Sequence, residues 1–415
     1  MYWRKYSNKE INKIIFNAIN KNINYRKEPV LGIPASYLDP LTFYDDAPFL
    51  KDSAFITSLI ENSNHIGCHT LTYSEPAFTG TQEIEKDLIR ICAEEILSGD
   101  KEQQDGYISS GGTEANIQAM WIYRNYFLKE FDAKWNEISV IYTEDSHYSI
   151  PKGVNILNLN SLILKVDNKS RSIRFDLFQK DIQSAQKNGV KYFIVILNMG
   201  TTVFGSIDDI DEATNILEKQ LATYKLHVDG AFGGFIYPFT NPRSNYNFKN
   251  PCITSFTMDA HKMLQAPYGT GIFLVRKGYM KYALTKEAKY IKGKDYTICG
   301  SRSGANAIAV WIIIHMYGSE GWKVKMGKIN KRTDKLCEEL DKLRISYYRN
   351  PNINIVAIRS KEITTEVALK FHLIPDSYDK DQNWWKVVVM DHVTKDLLTE
   401  FIRTICKYKS KKVRN

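Results

Sequence analysis

The sequence predicts an α/β protein: one large, mostly parallel seven-stranded sheet domain flanked by helices, then a smaller C-terminal α+β domain. Three observations carry the prediction. Between residues 80 and 275, helix-period and strand-like segments alternate. One of the strands, "KYFIVILN" (191–198), is a continuous apolar run, the pattern of a strand buried on both faces. Beyond residue 300 the alternation gives way to a long apolar helix and short strands.

Taken in order, residues 1–50 combine a polar helix with the proline-containing stretch "EPVLGIPASYLDPLTFYDDAP" and read as an N-terminal arm with little core of its own, lying on something else. The large domain is expected over 51–300. Within it, Ile84, Leu88, Ile91 and Ile96 recur at helical spacing across 81–97. A short strand follows at 106–110, a helix at 113–131 and a strand at 138–143. Next come a helix at 175–188, the buried strand 191–198, a helix at 210–224, and strands at 225–229, 253–258 and 271–276. The small domain is expected over 301–406, with helices at 305–318 and about 320–344, short strands near 353–359, 367–373 and 386–390, and a last helix at 395–407. The final stretch, 407–415, carries five Lys/Arg and no acid, and reads as a solvated basic tail.

The 415 residues are 43% hydrophobic and 25% charged, which supplies a sizeable core and excludes disorder as the default. A net charge of +9 would attract anions. No zinc-finger spacing, RNA-binding aromatic signature or long basic helix accompanies it, so no nucleic-acid partner is expected. The six cysteines form no C-x-x-C pair and no Cys/His cluster, so neither a disulfide framework nor a metal site is expected. The polar N-terminus lacks a signal-peptide core, and no apolar run reaches the ~18 residues of a membrane span. A cytoplasmic protein, away from membranes, is the expectation.

In an open α/β sheet, ligands bind at the carboxyl ends of the strands. Several suggestive groups fall there. "SSGGTEAN" (109–116) joins a strand to a helix, and Gly111, Gly112 and Thr113 bring bare backbone and a helix N-terminus to one place, as a phosphate cradle requires. "HVDGAFGG" (227–234) ends a buried strand on Asp229, a carboxylate able to face a cationic ring nitrogen, with Ala231 small enough to admit a flat ring. "EDSHYS" (144–149) offers His147 to stack on that ring, and "NMGTTVFGSIDD" (198–209) offers the hydroxyls of Thr201 and Thr202. "TMDAHKM" (257–263) ends a strand on His261 and Lys262. A strand-end lysine usually keeps its amine in water, and beside these groups it reads instead as a Schiff-base nucleophile. Together they describe a pyridoxal 5′-phosphate site.

The stretches "GGTEAN", "SHYS", "GTTVFGSID", "HVDGAFGGF", "DAHKM" and "GSRSG" (300–304), with "WWKVVVMDHVT" (384–394), resemble the group II pyridoxal-phosphate-dependent amino-acid decarboxylases. The compact length resembles the microbial tyrosine/aspartate members. The resemblance implies a fold-type I (aspartate-aminotransferase-like) architecture and α-decarboxylation of an amino-acid substrate to an amine. It implies Lys262 as the cofactor lysine, His261 on the phosphate, Asp229 on the pyridine nitrogen, His147 on the ring and Thr202 near the phenolic oxygen. Gly112 and Thr113 fall at the phosphate cradle, and Ser301 at a phosphate contact given by the neighbouring subunit of a homodimer with shared sites. A catalytic tyrosine is implied on the segment after "LVRKG" (274–278); Tyr290 is the candidate, with Tyr282 and Tyr296 as rivals. Other chemistry on the same fold, by a carbon–carbon lyase or an aminotransferase, is the alternative, and a non-catalytic binding protein the remotest one. The arginine that family members often use for a substrate carboxylate would fall near Met390-Asp391-His392, where no arginine stands, which argues against a glutamate-type substrate.

Overall fold

The computed structural model describes residues 2–412 apart from 26, 33–37, 40, 44–45, 62–64, 67–75, 285–292 and 380–381. Chain order begins with α1 (Asn8–Lys21), α2 (Ala54–Glu61), β1 (His65–Ile66), α3 (Thr79–Arg90), β2 (Gln104–Ser109), α4 (Gly112–Glu130), β3 (Ile138–Thr143), α5 (Ser149–Ile156) and β4 (Asn160–Leu164). It continues with α6 (Phe175–Lys187), β5 (Tyr192–Asn198), α7 (Ile210–Lys219), β6 (Thr223–Gly230), α8 (Tyr237–Thr240), β7 (Ile253–Asp259), β8 (Gly271–Arg276), β9 (Ser301–Arg302) and α9 (Gly304–Lys342). The last elements are β10 (Tyr347–Tyr348), β11 (Ile355–Arg359), α10 (Thr365–Lys370), β12 (Ile374–Pro375), β13 (Trp384–Val388) and α11 (Lys395–Lys412).

The large sheet has seven strands in the order β2-β8-β7-β6-β5-β3-β4. Only β8 runs against its neighbours; the other pairings are parallel. Parallel strands need crossover connections, and these bury both faces. In β5, Phe193, Val195 and Leu197 point into the core shared with α3, α6, α7 and α9, while Ile194 and Ile196 point into the core shared with α4 and α5. That is the two-residue alternation of a strand with apolar neighbours on both sides.

The N-terminal segment lies on helices of its own chain. Ser7 caps α1 in a reciprocal box with Glu10, and Ile11, Ile15 and Ile19 are buried in the core that also holds α3 and α9. Trp3 Nε1 donates to the carbonyl of Ile314 at 3.0 Å.

The four-stranded antiparallel sheet β10-β11-β13-β12 has two different faces. Val356, Ile358, Trp385 and Val387 pack on Leu336 and Leu340 of α9 and on Phe401 and Ile405 of α11. Ile355, Lys386 and Val388 face the other way, over the large sheet. This second face closes the site.

The departures from the expectations are local. Residues 365–370 are helical where a strand was expected: the Thr364 side chain accepts from Val367 N and caps a helical turn, leaving only β12 extended. The two helices expected at 305–318 and about 320–344 are both present, joined within α9 across a non-helical break at Gly318, which has φ +63°. The 81–97 helix ends in a π-helical turn, Ile91–Ile96.

Candidate active site

The strands β3, β5, β6 and β7 end at one edge of the large sheet, and the loops that leave them enclose a cavity of about 230 Å³. His147 enters from β3, Asn198, Thr201 and Thr202 from β5, Asp229 and Ala231 from β6, and Lys262 from β7; Ile355, Lys386 and Val388 close the top. A larger cleft of about 650 Å³ adjoins it, sharing His147 and Thr202 and walled in part by Phe204 and Trp384.

Lys262 is partly exposed, and its Nζ lies 3.3 Å from Asp259 Oδ2. His261 Nε2 is 3.5 Å from the same oxygen. Burial pushes the Asp259 carboxyl above its usual range, and the charges of Lys262 and His261 oppose that shift. Two polar atoms here, Asp259 Oδ1 and His261 Nδ1, are buried without a protein hydrogen-bond partner.

Beside them α4 begins. Gly111 and Gly112 are its first positions, and no side chain caps its free N–H groups. A methyl group on Gly112 would come within 2.8 Å of Asp259 Oδ2 and 3.1 Å of Ala231 Cβ, so glycine is required by close approach. An uncapped N-terminus of a 19-residue helix, next to an unpartnered imidazole nitrogen and a lysine, is an anion site.

Asp229 is buried, and both its oxygens accept. Oδ2 takes Asn116 Nδ2–H at 2.8 Å and Oδ1 takes the Ala231 N–H at 3.1 Å. His147 Nδ1 lies 2.9 Å from Ser149 Oγ and accepts the Ser149 N–H at 3.2 Å. Burial holds the His147 imidazole below its ordinary pKa, with Asp229 opposing and Lys262 adding to the effect. Behind Asp229, burial pushes the fully enclosed His227 down to about 4, so it is neutral. Among the described residues, no group of three or more His, Cys, Asp or Glu is arranged to hold a metal.

These side chains suit pyridoxal phosphate on the geometry alone. There is a bare backbone cradle with an unpartnered nitrogen for the phosphate, a carboxylate for a protonated ring nitrogen, and a partly exposed amine for the aldehyde. A profile described as "Pyridoxal-dependent decarboxylase conserved domain" matches residues 52–361. The chain belongs to this decarboxylase family. It is 47% identical to a tryptophan decarboxylase of Clostridium sporogenes, over 98% of each chain. It is 30% identical to a probable L-tyrosine/L-aspartate decarboxylase of Methanosarcina barkeri, over 80% of this chain and 84% of the relative. Its fold superposes on an L-methionine decarboxylase of Streptomyces with a TM-score of 0.68 at 18% identity, over 96% and 93% of the two chains. The architecture is that of fold-type I, the cofactor is pyridoxal 5′-phosphate, and the reaction is amino-acid decarboxylation.

The structure of this decarboxylase brings most of the sequence-predicted residues together. His147, Thr202, Asp229, Ala231 and Lys262 line the cavity, and Gly111, Gly112 and His261 adjoin it through Asp259. Thr113 follows them in the first turn of α4. Ser301 is exposed and does not line the cavity of its own chain. Tyr290 lies outside the described residues. Its rival Tyr282 donates to Glu130 at 2.8 Å, at the far end of α4, roughly 27 Å of helix from Gly112. The carbonyl of Tyr296 accepts from Gln118 in the second turn of the same helix.

Sequence reasoning passed over several residues of the site. Asn116 and Ser149 stand inside the motifs quoted above, but their meeting across 33 positions is a tertiary fact. Asp259 was legible only as part of a strand end. Asp391 and His392 do not line the cavity, and Asp391 pairs with Lys325 at 2.6 Å. The cation over the cavity is Lys386, four residues before Met390. The available signal was a lone lysine within the apolar strand "WWKVVV".

Proposed function

We propose that this decarboxylase acts on an aromatic L-amino acid, with L-tryptophan as the first candidate, and releases carbon dioxide and the corresponding arylalkylamine. The observation that carries the reading is the 47% identity with a tryptophan decarboxylase along essentially the whole of both chains. The cavity supports it. Lys262 and Lys386 are the two lysines among its described lining residues, which include no arginine. With Lys262 holding the cofactor and Lys386 facing the substrate's α-carboxylate, the described lining of this cavity has no further lysine or arginine for a second carboxylate; in the adjoining cleft Arg171 is paired with Asp145 and Arg359 lies over the Trp384 ring.

In this reading Gly111, Gly112, Thr113 and His261 hold the phosphate, and Thr202 lies beside the phenolic oxygen. His147 and Ala231 would flank the cofactor ring. Bound there, the cofactor supplies the electron sink for loss of carbon dioxide. Asp229 keeps the ring nitrogen protonated by presenting an acceptor-only carboxylate. Lys386, with Ile355 and Val388 around it, would bind and orient the substrate's α-carboxylate. Tyr290 or His147 returns the proton to Cα. The working form is a cytoplasmic homodimer in which Ser301 reaches the phosphate of the other subunit.

The test is a panel of common amino acids offered to purified, cofactor-loaded protein, scored by amine formed and carbon dioxide released. Tryptophan is expected to give the highest kcat/KM. Preference for aspartate, glutamate or histidine overturns the substrate assignment. Borohydride reduction followed by peptide mapping should place the cofactor on Lys262, and a label on another lysine overturns the site assignment.

A further inference from the structure

A chain of buried polar groups runs away from the cavity behind Asp229. Its centre is Asn116, in the second turn of α4. Asn116 Nδ2 donates to Asp229 Oδ2 at 2.8 Å and to Ser149 Oγ at 3.0 Å. Its Oδ1 accepts from Thr257 Oγ1 at 2.8 Å and lies 3.0 Å from His227 Nε2. Nε2 of His227 is also 3.0 Å from Thr257 Oγ1, and Nδ1 is 2.6 Å from Ser255 Oγ, which contacts the hydroxyl of Tyr123. His227, Ser255, Thr257, Asn116 and Tyr123 are all essentially inaccessible to solvent.

Proton bookkeeping settles the direction of every bond. Reversing the Asn116 amide would set its oxygen against the Asp229 carboxylate, acceptor on acceptor, so Nδ2 faces Asp229. Oδ1 is then an acceptor, and His227 must carry its proton on Nε2. His227 Nδ1 therefore accepts from Ser255, whose single hydrogen is used, and Tyr123 must donate to Ser255. On the other branch Asn116 spends its second hydrogen on Ser149 Oγ. The Ser149 hydroxyl is thus free to donate to His147 Nδ1, which its own backbone N–H also addresses. His147 is left as the neutral tautomer with its proton on Nε2.

We infer that Asn116 is a positioning residue that sets two groups at once: it fixes Asp229 as an acceptor toward the cavity and, through Ser149, fixes the Nε2–H tautomer of His147. Tyr123, Ser255, His227 and Thr257 orient its amide. Each donor in the series points toward Asp229 or His147, so the bonds polarise one another in the same sense. The charged groups acting on His147 are Asp229, Lys262 and Lys152, with the Tyr148 ring 4.1 Å away, and none of these supplies a donor to Nδ1. The inference rests on the reading that Asp229 and His147 face the bound cofactor.

The experiment uses full-length protein with 15N-labelled histidine, read with and without pyridoxal phosphate; His147→Gln identifies the His147 signals. Wild type is expected to show the Nε2–H tautomer of His147. In Ser149→Ala the hydroxyl donor to Nδ1 is lost, and in Asn116→Ala the Ser149 hydroxyl is no longer held by the Asn116 amide with its hydrogen toward Nδ1, so in both the unprotonated nitrogen is less stabilised. The titration midpoint of His147 is expected to rise by about half a pH unit or more, with mixed tautomers. The two branches separate in a second readout, a spectroscopic titration with pyridoxal phosphate. Asn116→Ala is expected to weaken affinity roughly 10- to 100-fold, the effect of one bond to a charged group, whereas Ser149→Ala stays within about threefold of wild type. Asn116→Leu, of similar volume and without hydrogen-bonding groups, serves if the alanine variant does not fold. Should neither Asn116 variant fold, Ser149→Ala decides alone. An unchanged His147 titration and tautomer in folded variants, with only a lowered Tm, overturns the inference. Borohydride labelling away from Lys262 would instead overturn the site assignment while the histidine spectra still report on Asn116.

Discussion

Lys386 is the residue whose environment argues most directly for a role with substrate. It stands on the cavity face of β13, and burial, together with the charge of Lys262, lowers its pKa. An incoming carboxylate reverses that depression by giving the ammonium a partner. Lys386→Met should therefore lower kcat/KM about 100-fold, the loss of a charge-assisted contact of ~2–3 kcal/mol. Lys386→Arg should retain most of the activity. Loss of the lysine's proton should set an alkaline limb in kcat/KM below the ~10.4 of a solvated lysine, and the arginine variant should move that limb upward. Identical profiles for the wild type and both variants would remove Lys386 from the reaction.

A second residue makes a stability prediction. Asp208 is fully enclosed, and burial pushes its carboxyl up to about 7, against the donors of Asn198, whose N–H and Nδ2 both reach Oδ2 at 2.7 Å. A carboxyl whose folded pKa is raised binds its proton more tightly in the native state. Native stability is therefore greatest near and below the unfolded value of ~3.8, declines as pH rises to about 7, and carries a constant penalty above it. Asp208→Asn keeps an acceptor for Asn198 and does not titrate. Its Tm should exceed that of wild type above pH 7, and the gap should close as pH falls toward 4. A gap independent of pH would mean that Asp208 does not titrate in this range.

At the scale of elements, strands with apolar residues on both faces were legible to within a residue or two. The expected 138–143, 191–198 and 271–276 correspond to β3, β5 and β8. The seventh strand was not readable individually. β4 is an edge strand whose side chains are mostly exposed or half-buried, so its sequence "NSLIL" carries no clean burial pattern. α5 is eight residues long and begins directly after the His147 loop, too short for helical periodicity to stand out. The site was legible where chemistry sits at strand ends, as with Asp229 and Lys262. It was not legible where side chains meet only in space, as with Asn116 and Ser149, or where a β-strand lysine is turned inward, as with Lys386. The bend in α9 has a local cause that sequence did show as a break. Gly318 has φ +63°, and a Cβ there would lie 2.8 Å from the backbone nitrogen of Lys5, which runs across it. Gly318→Ala combines left-handed strain with a backbone clash, so a destabilisation of ~1–3 kcal/mol and a Tm lower by several degrees are expected. Wild-type thermal stability in this variant would mean that the N-terminal segment does not hold its place against α9.

At the scale of the molecule, the single chain leaves apolar surface uncovered around α2: Phe49, Ile56 and Leu59 are 59%, 39% and 41% exposed. Such a patch suits a second subunit. Ser301 belongs to the same argument. Its neighbour Arg302 is anchored in a buried pair with Glu85 and donates to the Ile108 carbonyl at 3.1 Å, so the exposed serine hydroxyl is carried on a fixed base. A homodimer with shared sites makes a prediction that a monomer cannot imitate. Lys262→Ala subunits lack the cofactor amine, and Tyr290→Phe subunits lack one of the two proposed proton donors, Tyr290, taken in this test to serve the neighbouring subunit's site. Each homodimer should be inactive. In a mixed dimer one site carries both defects and the other carries neither. Equal amounts, unfolded and refolded together, should recover about a quarter of wild-type activity per site, because half the dimers are mixed and each has one intact site. The composition is checked by native mass spectrometry. Mixed dimers present at the expected proportion but without activity would show that each subunit completes its own site, and a fully active monomer would remove the dimer from the mechanism altogether.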